Sequence, residues 1–218
     1  MPRAPFDLVA FDLYGTLLDL SNLSGRMRPI AGDRAADLLG RWRTAQLERS
    51  WRLNREHRYE PWDALTAMAL ADVAPELSAE SRRRLTELWG TVPAFADAGP
   101  TLAALPPAGA RTAVLSNGTR AMIASALSAG GLEVDRILSV DDVGVYKPDP
   151  RVYALLDSEA VRSRVLFVSS NGWDVEGARR GGRNVAWIDR GGEPPAIAPT
   201  YRFESLAGVA AFIAGKNG

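Results

Sequence analysis

Residues 5–18 read PFDLVAFDLYGTLL, and the fold class turns on this stretch. Residues 8–13 are a mostly apolar run of strand length, and Tyr14, Gly15 and Thr16 end it with a glycine that permits a tight turn. The first strand therefore delivers an acid, Asp12, into a loop. Short apolar runs of the same kind recur at 112–115, 137–140, 165–169 and 185–188, with helical patterns among them at 120–129, 150–158 and 175–181. Strands alternating with helices predict an α/β fold, a parallel sheet with helices on both faces.

Between residues 24 and 89 the pattern changes. Leu38, Leu39, Trp42, Leu47 and Trp51, then 65–73, then 85–89, fit helices with no strand between them. The expected organisation is an α/β core domain, 1–18 and 96–218, with a helical cap domain, 19–95, inserted after the first strand. The crossings fall in loops near 19–23 and 93–100. In open α/β sheets the ligand crevice lies beyond the carboxyl ends of the strands, so the polar residues that end the strands are the candidates for chemistry.

Composition narrows that chemistry. At 218 residues and 46% hydrophobic, the chain can bury one good core and a modest second lobe. Lys+Arg and Asp+Glu balance at 26 each, which argues against a broad nucleic-acid or membrane surface and for a small-molecule ligand. The absence of cysteine removes thiolate nucleophiles and thiolate metal sites. The one histidine, His57, lies in the polar stretch RLNREHRYE and reads as a solvated surface residue. Hydrolysis must then rest on carboxylates, Lys and Arg. The N-terminal run meets acids at Asp7 and Asp12 too soon for a signal peptide or membrane span, so the expected location is cytoplasmic.

Four segments carry the polar strand ends: Asp12 in FDLYGT, Ser116 and Asn117 in LSNG, Lys147 in VYKPD, and Ser169, Asn171 and Asp174 in FVSSNGWD. Singly each is weak, since an Asp at a strand end or an SNG is often turn chemistry. In this order, on matching strands, they resemble motifs I to IV of the haloacid dehalogenase superfamily, over nearly the whole chain. The resemblance implies a Rossmann-like parallel-sheet core, and it is nearest to the L-2-haloacid dehalogenases. The phosphatase branch has DxD at motif I, and here the second Asp is replaced by Tyr14. A tyrosine supplies neither a carboxylate for a hard cation nor an acid of suitable pKa for an alkoxide leaving group. Halide leaves without a proton. WRTAQLERSW, residues 42–51, also resembles the dehalogenases' cap helix, and its Arg43 matches the arginine that receives the halide there. Standing alone, Arg43 would read as a solvated helix arginine.

The resemblance implies a role for each residue, with no metal and no cofactor. Asp12 is the nucleophile that displaces halide from a small (S)-2-haloalkanoic acid through a covalent ester, which water then hydrolyses to the inverted 2-hydroxy acid. Lys147 and Thr16 keep its carboxylate ionised. Ser116 and the N–H groups of Leu13 and Tyr14 hold the substrate carboxylate, and Arg43 with Asn117 cradles the halide. Asn171 and Asp174 position or deprotonate water, with Ser169 and Lys147 completing the network, although Asp174 reads equally as an anchor for Lys147. Leu47, Trp62 and Trp173 form an apolar wall, which for Leu47 is equally ordinary core packing. Tyr153 lines the site or packs its helix. Arg49 and Ser50 replace an aromatic and a hydroxyl residue of the family pattern, and Gly172 replaces a small alanine. A homodimer is compatible with the cap's apolar surface and with the resembled family. The rival readings are a magnesium-dependent phosphatase of the superfamily that tolerates Tyr14, and a catalytically idle member that binds a small acid.

Overall fold

The central strand, β1 (Leu8–Phe11), is buried along its whole length, as an apolar run with both faces covered requires. The structure is a computed structural model and describes residues 4–216. After β1 come α1 (Leu23–Ala31), α2 (Ala35–Arg55), α3 (Trp62–Val73) and α4 (Ala79–Glu87), closed by a 3-10 turn, Leu88–Thr91. The chain then runs through α5 (Ala98–Ala104), β2 (Arg111–Ser116), α6 (Arg120–Ala129), β3 (Arg136–Ser139), α7 (Pro150–Ala154), β4 (Val165–Ser169) and α8 (Gly172–Arg180). It ends with β5 (Asn184–Ile188), β6 (Tyr201–Phe203) and α9 (Leu206–Ile213).

All six strands are parallel, in the order β3-β2-β1-β4-β5-β6. The chain winds outward from β1 to β3, then returns to β4 on the other side of β1. Such a reversal opens a crevice at the strand ends beside β1. Phe11 is level with Val114 of β2 and Val168 of β4, so Asp12 leaves its strand beside Leu115 and Ser169, the next residues of β2 and β4.

The insertion after β1 is helical, as expected. α2 buries Ala35, Leu38, Trp42, Gln46, Ser50 and Leu53, a stripe at helical spacing. The Trp42 indole also donates to the Thr66 carbonyl of α3 at 2.8 Å. One hydrophobic cluster joins insertion and sheet: Trp42, Leu70 and Leu85 belong to it together with Val9, Val114 and Val168. The two crossings pair with one another. Leu18 bridges Ala94 antiparallel, the Asp19 N–H donates to the Pro93 carbonyl at 2.7 Å, and the Phe95 N–H donates to the Leu17 carbonyl at 2.9 Å.

Several expectations are corrected. The first strand stops at Phe11 because the chain turns at Leu13, whose carbonyl accepts the N–H groups of Leu17 and Leu18. Gly15 makes that turn at φ +86°. The helix expected over 150–158 is α-helical only to Ala154 and tightens into a 3-10 turn, Leu155–Ser158. The elements α5, β6 and α9 were not anticipated. β6 is a three-residue, partly exposed edge strand whose polar neighbours mask its pattern. Among the described residues no helix is long and apolar enough to cross a membrane.

Candidate active site

Asp12 leaves β1 with its N–H still bonded to the Val168 carbonyl at 2.9 Å, which fixes its backbone to the sheet. Asp12 is 7% exposed, and both its carboxylate oxygens are engaged. Oδ1 accepts from Lys147 Nζ at 3.1 Å. Oδ2 accepts from Thr16 Oγ1 at 3.0 Å and from Asn171 Nδ2 at 2.8 Å. Three donors, one of them charged, hold the carboxylate in place.

Lys147 does not stand at a strand end, as its motif suggested. It lies in the loop eight residues beyond β3, and other contacts bring it to the sheet edge. Its N–H donates to Asn117 Oδ1 at 2.9 Å, and the preceding Tyr146 exchanges two hydrogen bonds with the Asn54 side chain of α2, at 2.8 and 3.0 Å. Nζ then sits between Asp12 and Asp174, 2.9 Å from the latter's Oδ2. Burial works against the ammonium, but the two carboxylates outweigh it and hold the lysine above its ordinary pKa.

Asp174 is fully buried, and both its oxygens are taken. Oδ2 accepts from Lys147 and from Ser169 Oγ at 3.1 Å, and Oδ1 accepts from the Tyr153 hydroxyl at 2.6 Å. Burial pushes the Asp174 pKa upward, with the Lys147 charge opposing. Tyr153, which the sequence left either lining the site or packing its helix, stands behind Asp174, where α7 packs on α8 at Gly177. A Cβ on that glycine would come within 2.6 Å of the Tyr153 hydroxyl.

A cavity of about 60 Å³ opens over Asp12, lined by Asp12, Tyr14, Arg43, Leu47, Trp62, Ser116, Asn117, Lys147, Asn171 and Trp173 of the expected set. Thr16, Tyr153, Ser169 and Asp174 do not line it, and neither does the Leu13 side chain, of which residue only the backbone N–H was expected to serve. Gln46, Trp89 and Gly118 line it as well and were missed. Gln46 follows Arg43 by three positions on α2, so helical spacing could have found it. Trp89 carries no comparable signal, since it reaches the cavity from the far end of the insertion.

Several lining groups have donors to spare. The Arg43 guanidinium makes no hydrogen bond or ion pair among the described residues. Burial lowers its pKa, with Asp12 opposing, and a guanidinium stays charged regardless. Asn117 spends its amide oxygen on Lys147, which leaves Nδ2 unbonded. Ser116 Oγ accepts the Gly118 N–H at 3.1 Å and keeps its own hydrogen to give. The N–H groups of Leu13 and Tyr14 donate to no acceptor among the described residues. The Tyr14 hydroxyl donates to the Trp89 carbonyl at 3.1 Å, and burial raises its pKa above the ordinary value of 10.0. No group of three or more His, Cys, Asp or Glu among the described residues is arranged to hold a metal ion.

The departures from the family pattern have local explanations. Arg49 pairs with Asp72 of α3 at 2.6 Å, and Ser50 Oγ donates to the Leu47 carbonyl at 2.7 Å. A Cβ on Gly172 would meet the Glu193 carbonyl at 2.7 Å. His57 is exposed beyond the end of α2, as expected.

A model of the haloacid dehalogenase-like hydrolases matches residues 6–182. The chain is 41% identical over 199 residues to (S)-2-haloacid dehalogenase 1 of Pseudomonas sp. strain CBS-3, covering 87% of each. It is 37% identical over 212 residues to the (S)-2-haloacid dehalogenase of Pseudomonas sp. strain YL, covering 92% of this chain and 91% of that one. The L-2-haloacid dehalogenase of Xanthobacter autotrophicus with chloropropionic acid covalently bound superposes with a TM-score of 0.90 at 27% identity, over 97% of this chain and 100% of that one. Sheet order, helical insertion and these similarities agree: the chain belongs to the haloacid dehalogenase-like hydrolases.

Proposed function

We propose that this protein is a hydrolytic (S)-2-haloacid dehalogenase, with the Asp12 carboxylate as nucleophile. The observation that carries the proposal is the pairing of a buried, triply held carboxylate with an unpartnered guanidinium, Arg43, across one small cavity. Similarity to relatives named for this activity supports it.

In the first step a lone pair of an Asp12 oxygen forms a bond to C2 of the substrate while the carbon–halogen bond breaks, and its electron pair leaves on the halide. The centre inverts and Asp12 becomes an ester. The substrate carboxylate takes the Ser116 hydroxyl and the free N–H groups of Leu13 and Tyr14, which select for and orient an α-carboxylate. Arg43 and Asn117 Nδ2 receive the negative charge as it develops on the halogen, so they favour the transition state over the ground state. In the second step water attacks the ester carbonyl carbon. The bond from that carbon to the ester oxygen breaks, the 2-hydroxy acid leaves with one of the water's protons on its new hydroxyl, the other proton passes to solvent, and the Asp12 carboxylate is restored with the water's oxygen in it. Asn171, which faces the cavity beside Asp12, orients that water. Asp174 has no free oxygen and no face on the cavity, so in this reading it anchors Lys147 and is not the base. A Tyr14 phenol bonded to a carbonyl and raised in pKa is unsuited to protonating the alkoxide of a phosphate ester.

The test is halide release from each enantiomer of 2-chloropropionate in EDTA, for the native enzyme and Asp12→Asn. Release from the S enantiomer alone, unchanged by EDTA and lost in the variant, is expected. No release, together with cleavage of a phosphate ester once magnesium is added, would replace this reading with the phosphatase one.

A further inference from the structure

The site cavity, of about 60 Å³, has a larger neighbour. A groove of about 610 Å³ runs between the insertion and α6, with Ala67 of α3 on one side and Ala121, Met122 and Ser125 on the other. Trp89 lines both spaces. The start of α3 adjoins it, with Trp62 on the cavity side and Asp63 on the groove side. Trp89 is 4% exposed and is held edge-on by Tyr14 and Trp42, ring centroids 5.5 Å away in each case. Its carbonyl accepts from Tyr14, while its indole N–H is buried without an acceptor among the described residues. The side chain is thus fixed by packing and not by its polar atom.

We propose that the Trp89 ring is the stop that sets how long a 2-haloacid this enzyme accepts. The inference rests on the dehalogenase reading for the identity of the substrate, and on geometry alone for the wall. Behind the indole lies a groove whose lining offers apolar surface at Ala67, Ala121 and Met122 beside the charged Asp63, Arg82, Arg83 and Glu87, and in front of it the cavity is about 60 Å³. Removing the ring joins the two spaces. Each methylene then taken out of water is a roughly fourfold gain in binding. Replacing the indole breaks no side-chain hydrogen bond, and the carbonyl that accepts from Tyr14 remains.

The experiment compares native enzyme, Trp89→Leu, Trp89→Phe and Met122→Ala, each checked for an unchanged far-UV spectrum. Two readouts are taken: kcat/KM for 2-chlorohexanoate relative to 2-chloropropionate, and calorimetric Kd for hexanoate relative to propanoate. In Trp89→Leu both ratios should shift toward the six-carbon acid by on the order of tenfold or more, given three added methylenes. Trp89→Phe should shift them less. Met122→Ala, which enlarges only the groove, should leave them at the native value. Unchanged ratios in folded Trp89→Leu, or an equal shift in Met122→Ala, would overturn the assignment. Because the Kd ratio needs no turnover, a native enzyme that releases no halide would overturn the dehalogenase reading and still leave the wall decided by binding.

Discussion

Asn171 stands at the N-cap of α8, where an asparagine side chain ordinarily accepts a backbone N–H of the first turn. Here it makes no such bond. Its amide is turned to Asp12 Oδ2 and to the Tyr14 carbonyl, at 2.8 and 3.2 Å. A local preference overridden at one residue is a mark of function, and no sequence pattern displays it, because FVSSNGWD is equally good capping chemistry. Lys147 is the complementary case. Its identity was legible, but its place between two carboxylates depends on Asn54 and Asn117, residues 93 and 30 positions away in the chain, whose long-range bonds leave no periodic trace. Two predictions belong at this scale. Arg43→Ala should lower kcat by about 10²–10³, the cost of removing one donor aimed at developing charge, with a smaller change in KM; steady-state halide release measures both. Lys147 is raised above its ordinary 10.5, so its ammonium persists through neutral and mildly alkaline pH. Its contribution to stability is complete below that value and is lost as pH rises through the folded-state pKa. A kcat profile should therefore show no lysine limb between about pH 7 and about pH 10, with loss only beyond.

The elements that place these residues were read well where periodicity was strong and poorly where it was short. The strands next to β1 and the long helix α2 follow from apolar spacing, whereas β6, with three residues and a partly exposed face, does not. The packing of α7 on α8 was also out of reach, since it depends on the missing Cβ of Gly177 beside Pro148 and Tyr153. Gly177→Ala should destabilise the protein by about 1–3 kcal/mol in urea unfolding, as overpacking does, and should impair turnover by displacing Tyr153 from Asp174. A second pairing ties the 3-10 turn after α7 to the start of β5: the guanidinium of Arg183, 1% exposed, is held by Asp157. That contact, together with a second hydrogen bond from Arg162, depresses the Asp157 carboxyl from 3.8 to about 2, so its stabilisation is present above pH 3.8 and fades as pH falls toward 2. Asp157→Asn should cost about 1–2 kcal/mol at neutral pH, allowing for the carboxylate's partial exposure, and the difference from native should vanish in strong acid.

At the scale of the whole molecule, one hydrophobic cluster runs from the sheet into the insertion, and Arg190 reinforces the junction. It stacks 3.6 Å from the Phe95 ring, pairs with Asp97 at 2.9 Å and reaches the Thr16 carbonyl at 3.3 Å. Core and insertion should therefore unfold together. Calorimetry should record a single transition, and Trp42→Ala, which empties a fully buried site in the insertion, should lower that one transition by about 3–5 kcal/mol without splitting it. A helical insertion after the first strand was legible in the sequence, but not that its apolar stripes close on the sheet's own core, because periodicity names a buried face without naming what buries it.

The paired crossings bear on how such a chain can be rebuilt. Asp19 and Pro93 are already joined by a 2.7 Å hydrogen bond, in an antiparallel arrangement that a two-residue turn can close. A shortened gene with two turn codons in place of 20–92 would thus have its cut ends in hairpin register, and the whole lobe could be exchanged for another by splicing at one place. What a replacement lobe would have to match is the apolar footprint left on the sheet; the seam itself would ask almost nothing of it.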